Sequence, residues 1–207
     1  MHLNRTGLLT ALMLLGLIGA ACATPLSRNL PAESAAMPSY VWYDGDNPRR
    51  AWLDPEVIAV FDDSDQAAAR AVRSLAPNAI LLPSSTPGLR LWRIPADGDS
   101  TIRSLRSLEP EAQASPVLRD APSKAAPMRA LPGQIIVYLN PDWSEPEARA
   151  WLQAHGLDAI QQLNFGHNVF LLRSEPGLAS LELANRLRQQ PGVAAAMPNW
   201  WQELETR

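Results

Sequence analysis

The sequence predicts an α+β fold of two tandem units, each a strand-helix-strand-strand-helix-strand run that forms an antiparallel sheet with both helices on one face. Three observations carry this. A short β-branched run ending at Asp or Asn occurs once in each half, an apolar stripe at helical spacing follows each run, and matched residues keep a nearly constant offset between the halves.

Val57-Ile58-Ala59-Val60-Phe61 and Ile135-Ile136-Val137-Tyr138-Leu139 read as the opening strands, because short runs of this composition suit a buried strand. Ala68, Ala71, Val72 and Leu75, and then Ala148, Trp151, Leu152 and His155, follow with the spacing that gathers residues on one helix face. Pro77 stops the first helix. Ser144 and Glu147 form a capping box for its counterpart, which Gly156 can close.

Leu89 to Arg93 and Val169 to Arg173 read as strands, preceded by weaker strand signals at Ile80 to Leu82 and Ile160 to Leu163. A second helix carries Ile102, Leu105 and Leu108 in one half and Leu183, Ala184 and Leu187 in the other, stopped by Pro110 and Pro191. Ala112 to Val117 and Val193 to Asn199 close the units. The offset drifts from 78 (Val57 to Ile135) to 82 (Pro116 to Pro198), with every slip in a loop. An internal duplication of a ferredoxin-like unit accounts for this. Its bare sheet face is then available for a partner.

The ends and joints differ in composition. Arg5 is followed by an uncharged, mostly apolar run, Thr6 to Ala21, ending in small residues. Residues 1–22 therefore read as a signal peptide, since the run is short for a membrane span. Cys22, the single cysteine, stands where bacterial lipoprotein signals place the residue that takes a diacylglycerol. Ala21-Cys22-Ala23 also fits an ordinary small-x-small cleavage site. The expectation is an exported protein, periplasmic or anchored to a membrane through Cys22, in preference to free secretion. Residues 23–39 and 119–133, rich in Pro, Ala, Ser and charge, read as linkers. They delimit units at 40–118 and 134–207.

A lone cysteine permits no intramolecular disulfide, so packing must stabilise the chain. The net charge of −3 offers no basic excess for phosphates, which argues against a nucleic-acid partner. No catalytic elbow, glycine-rich phosphate loop or metal-ligand spacing occurs, so neither an enzyme nor a cofactor or metal is expected. His155 reads as a half-buried helix residue and His167 as a loop residue. Asp62, Asp63 and Asp65 lack the downstream Gly and Glu of a calcium loop and read as a solvated turn.

The closing segment Gln190-Pro191-Gly192-Val193-Ala194-Ala195-Ala196-Met197-Pro198-Asn199-Trp200, with Gln134 to Val137 and Asn168 to Leu172, is similar to the propeptides of bacterial subtilisin-like serine proteases. In these the last strand reads Pro-Gly-Val, a spacer, then Pro-Asn and an aromatic. Tyr40-Val41-Trp42-Tyr43-Asp44-Gly45 resembles the aromatic-rich opening of duplicated pro-regions, and Ala114-Ser115-Pro116-Val117 the end of their first unit.

The resemblance implies an inhibitor and folding chaperone that docks its open sheet face on two protease helices and lays its tail in the active-site cleft. Leu204, Glu205, Thr206 and Arg207 would be that tail, with Arg207 at the primary specificity pocket and Leu204 at an apolar pocket. Met197 departs from the pattern, standing where relatives often carry an acid that caps a protease helix. Asn199, Trp200 and Trp201 are the expected docking residues, one tryptophan turned inward and the other exposed. Two other readings are a detached pro-region of a larger precursor and a lipoprotein scaffold that presents two ferredoxin-like modules.

Overall fold

The computed structural model describes residues 37–61, 66–95 and 97–203. Over these residues the protein is α+β, with antiparallel sheets and four helices. β1 (Ser39–Asp44) and β2 (Asn47–Phe61) form a hairpin, then come α1 (Gln66–Leu75), β3 (Ile80–Leu82), β4 (Leu89–Arg93), α2 (Gly98–Leu108) and β5 (Gln113–Arg119). β6 (Met128–Ala130) leads to β7 (Gln134–Leu139), α3 (Glu145–Ala154), β8 (Ala159–Leu163), β9 (Val169–Arg173), α4 (Leu178–Leu187), β10 (Val193–Pro198) and β11 (Trp201–Gln202).

Local chemistry sets the helix ends. Asp97 accepts from the Asp99 amide at 3.0 Å and caps α2. At α3 the Ser144 amide and hydroxyl both donate to Glu147 Oε2 at 2.7 Å, and these bonds hold the Glu147 carboxyl below its ordinary range. Gly156, with φ of 64°, follows the end of α3 as expected. His155 is exposed rather than half-buried, because it occupies the C-cap, where its ring stacks on Trp151 at 3.9 Å.

The first sheet runs β11-β6-β5-β2-β4-β3 with β1 paired to β2, and the second runs β10-β7-β9-β8. The orders β5-β2-β4-β3 and β10-β7-β9-β8 share one connectivity. Ile58 pairs with Trp92 and Pro116, as Ile135 pairs with Leu172 and Pro198. Ile135 thus corresponds to Ile58, not to Val57 as the sequence offset suggested. The correction matters because a one-residue shift turns a strand over. Ile58 and Val60 pack with Ala68, Val72, Ile102 and Leu105 of the helices, whereas Val57 and Ala59 belong to a core on the other face. In the second half Ile135, Val137, Phe170 and Leu172 meet Ala148, Leu152, Ala184 and Leu187.

The segment 119–133, expected as a linker, is built into the sheet. β5 extends to Arg119, β6 pairs with β5, and Leu131 is fully buried. Arg119 donates through Nε and Nη2 to Asp54 Oδ2 at 3.0 and 2.8 Å and through Nη1 to the Ala126 carbonyl. This buried pair sits where the β2–β5 register slips between Asp54 and Ile58. It ties the slipped strand to the loop before β6.

The halves also grip each other. Trp42, Leu118, Leu131 and Leu181 form a core shared by both, flanked by Trp200. Asn185 and Arg188 of the second half donate to the carbonyls of Val41 and Gly45 at the β1 hairpin, and the Arg188 guanidinium lies 4.1 Å from the centre of the Tyr43 ring.

Candidate docking site

Register defines the sheet faces that carry no helices. In the first half this face holds Val57, Ala59, Leu89 and Leu91, and in the second Ile136, Tyr138, Val169 and Leu171 with Ala195 and Met197. Their environments differ. Ala59 is 0% and Leu91 1% exposed, covered by Met128, Ala130 and the ring of Trp201. Ile136, Tyr138, Leu171, Ala195 and Met197 are half-exposed, and Phe165, 62% exposed, leans on Tyr138 at 6.3 Å. The expected bare face is therefore kept by the second half and filled by the chain itself in the first.

β6 and the segment after β10 fill it together. Asn199 continues the ladder by donating its amide to the Gln134 carbonyl at 3.0 Å, and its side chain bonds Gln134 Oε1. Trp200 and Trp201 then diverge, since neighbouring strand residues face opposite sides. Trp200 meets Trp42 edge-on at 5.4 Å, and the Arg129 guanidinium lies within 6 Å of both rings. Trp201 pairs with Ala130, and its indole Nε1 donates to Thr86 Oγ1 at 3.0 Å. Neither tryptophan is exposed; both are half-buried against their own chain.

Two further bonds hold the segment. The Glu203 amide donates to the Met128 carbonyl at 2.9 Å, and the Met128 amide donates to Glu203 Oε2 at 3.2 Å. Asn199, Trp200 and Trp201 also line a cleft of about 530 Å³, together with residues from the start of α1, the β3–β4 loop and the turn after α2. These three consecutive residues are the docking residues expected from the sequence. Cys22 and Leu204, Glu205, Thr206 and Arg207 lie outside the described residues, as do Asp62, Asp63 and Asp65.

Sequence reasoning missed Thr86, Met128 and Arg129 as neighbours of this segment. Met128 and Arg129 sat in a Pro-rich stretch whose only strand signal is three residues long. Among the described residues no group of His, Cys, Asp and Glu could hold a metal ion, and no helix is long and apolar enough to cross a membrane. In comparison with known proteins, no family model matches the chain and no curated protein matches it.

Proposed function

We propose that this chain consists of two ferredoxin-like units and acts as an exported inhibitor and folding helper of a subtilisin-like serine protease, tethered to a membrane through Cys22. The repeated strand order and paired registers support the two-unit reading. The observation that carries the functional reading is the half-exposed apolar face of the second sheet, Ile136, Tyr138, Leu171 and Met197. Its counterpart in the first half is already covered, so one chain offers one docking face.

A preformed sheet can lower the folding barrier of a partner rich in non-local contacts. The tail Leu204 to Arg207 would add a strand in the protease cleft, where main-chain bonds supply affinity and alternate side chains fill pockets. Fully extended, Leu204 to Arg207 would span about 13 Å.

The test is an inhibition constant against the subtilisin-like protease of the same envelope, for the mature protein, a form lacking Leu204 to Arg207, and Leu171→Asp. Deleting the tail is expected to weaken inhibition by two to three orders of magnitude, on about 2 kcal/mol for each filled pocket. Leu171→Asp is expected to weaken it at least tenfold with the melting temperature retained. No inhibition by the mature protein would discard the reading. Membrane fractionation of Cys22→Ser tests the tether, since acyl chains would dominate bilayer affinity.

A second reading, a lipoprotein scaffold of two modules, gains from the way Trp200 and Trp201 are spent on internal packing. Full activity of the protease in the presence of the mature protein would favour it.

A further inference from the structure

The cleft beside Trp200 and Trp201 has a chemical bias that the function proposed above does not use. The aromatic residues Phe61 and Trp201 border it along with two acidic residues, Glu109 and Glu111, while Trp200, also at its border, has its ring against Trp42 and Arg129. Among the described residues no Lys or Arg lines it. Glu109 is half-exposed and Glu111 exposed, and neither makes an ion pair with the described residues, while Arg106 in the same turn region is engaged by the carbonyls of Ala114 and Pro176.

From this we infer that the cleft receives an arginine side chain of a partner polypeptide. Aromatic faces attract cations through the ring quadrupole, and a planar guanidinium can stack on indole while its edge donates to a carboxylate. Both requirements are met within one concavity, and the polar atoms of Asn199 and Gln113 at its border can accept from the partner's main chain. The carboxylates stand at the C-terminal end of α2, where the helix dipole also favours a cation. An ammonium ion would gain the same charge attraction but not the planar stacking, so the geometry selects arginine over lysine.

The measurement is a titration of the mature protein, followed by tryptophan fluorescence and by calorimetry, with the blocked tripeptide acetyl-Gly-Arg-Gly-amide, its lysine counterpart and its neutral isostere containing citrulline. Saturable binding of the arginine peptide with a dissociation constant near the millimolar range is expected, at least tenfold weaker for citrulline and several-fold weaker for lysine. Glu109→Gln with Glu111→Gln should weaken the arginine peptide by at least tenfold. Both changes are at solvent-accessible groups, and an unaltered melting temperature shows that the fold is kept. Absence of saturable binding, equal affinity for the citrulline peptide, or an unchanged constant in the double variant would each overturn the assignment. Protease inhibition is not the readout, so the proposal stands or falls separately from the inhibitor reading.

Discussion

Trp201 and Thr86 are joined by an indole-to-hydroxyl hydrogen bond of 3.0 Å that spans the two halves of the chain. Through it the end of the second half closes the apolar face of the first sheet. Trp201→Ala should destabilise the protein by about 2–3 kcal/mol, below the full cost of a buried tryptophan because the ring is half-buried. Trp201→Phe retains packing and loses the hydrogen bond, for a cost of about 1 kcal/mol. Urea unfolding of the two variants checks the order, and equal losses would show that the bond rather than the packing dominates.

The same relationship changes what a fragment should do. Separable units joined by a linker would let residues 131–207 fold alone, but Trp200, Trp201 and Leu181 pack on Trp42, Leu118 and the first sheet. Cut free, the fragment should bind a hydrophobic dye and show exchange-broadened amide signals for residues 199–203. Sharp, dispersed signals there would mean that the second half repacks without its neighbour.

Asp54 and Arg119 form a pair that is nearly excluded from solvent, with side chains 1% and 7% exposed. Removing the carboxylate leaves a buried guanidinium with only the Ala126 carbonyl, so Asp54→Ala should cost about 3–5 kcal/mol. Arg119→Met on top of it should recover part of the loss. A double-mutant cycle by denaturant melts measures the coupling, and strictly additive losses would contradict it.

Gly192 explains the glycine in the Pro-Gly-Val motif. Its φ is +88°, and a Cβ there would collide with the ring of Trp143. Gly192→Ala should therefore lose about 3 kcal/mol, combining backbone strain with overpacking. Trp143→Leu should recover the steric share only.

The α3 capping box gives a small acid dependence. Glu147 has an ordinary pKa of 4.5 that is lowered in the folded protein by its bonds from Ser144. A carboxyl depressed on folding stabilises the native state above its unfolded value, and this stabilisation fades as pH falls through the folded value. The stability difference between the native protein and Glu147→Gln should be constant above about pH 5 and vanish at lower pH. A difference that persists unchanged to pH 2 would assign the effect to something other than ionisation.

Much of the fold was legible because it rests on local periodicity. β4 and β9 coincide with Leu89 to Arg93 and Val169 to Arg173, the segments read as strands, and α1 and α3 end where Pro77 and Gly156 require. The offset matched Ile135 to Val57 instead of Ile58, because Val57 to Phe61 is apolar throughout and carries no alternation to fix its register.

By itself, then, the sequence determined the α+β class, the four helices and most of the strands, since each follows from short-range spacing and turn chemistry. Only the tertiary structure decided that one sheet face is filled and the other open, that residues 119–133 join a sheet, and that both tryptophans are half-buried. Those outcomes depend on which distant segments meet. A three-residue strand such as Met128–Ala130 leaves almost no trace in composition, yet its pairing with β5 and β11 places Trp201 on the first sheet.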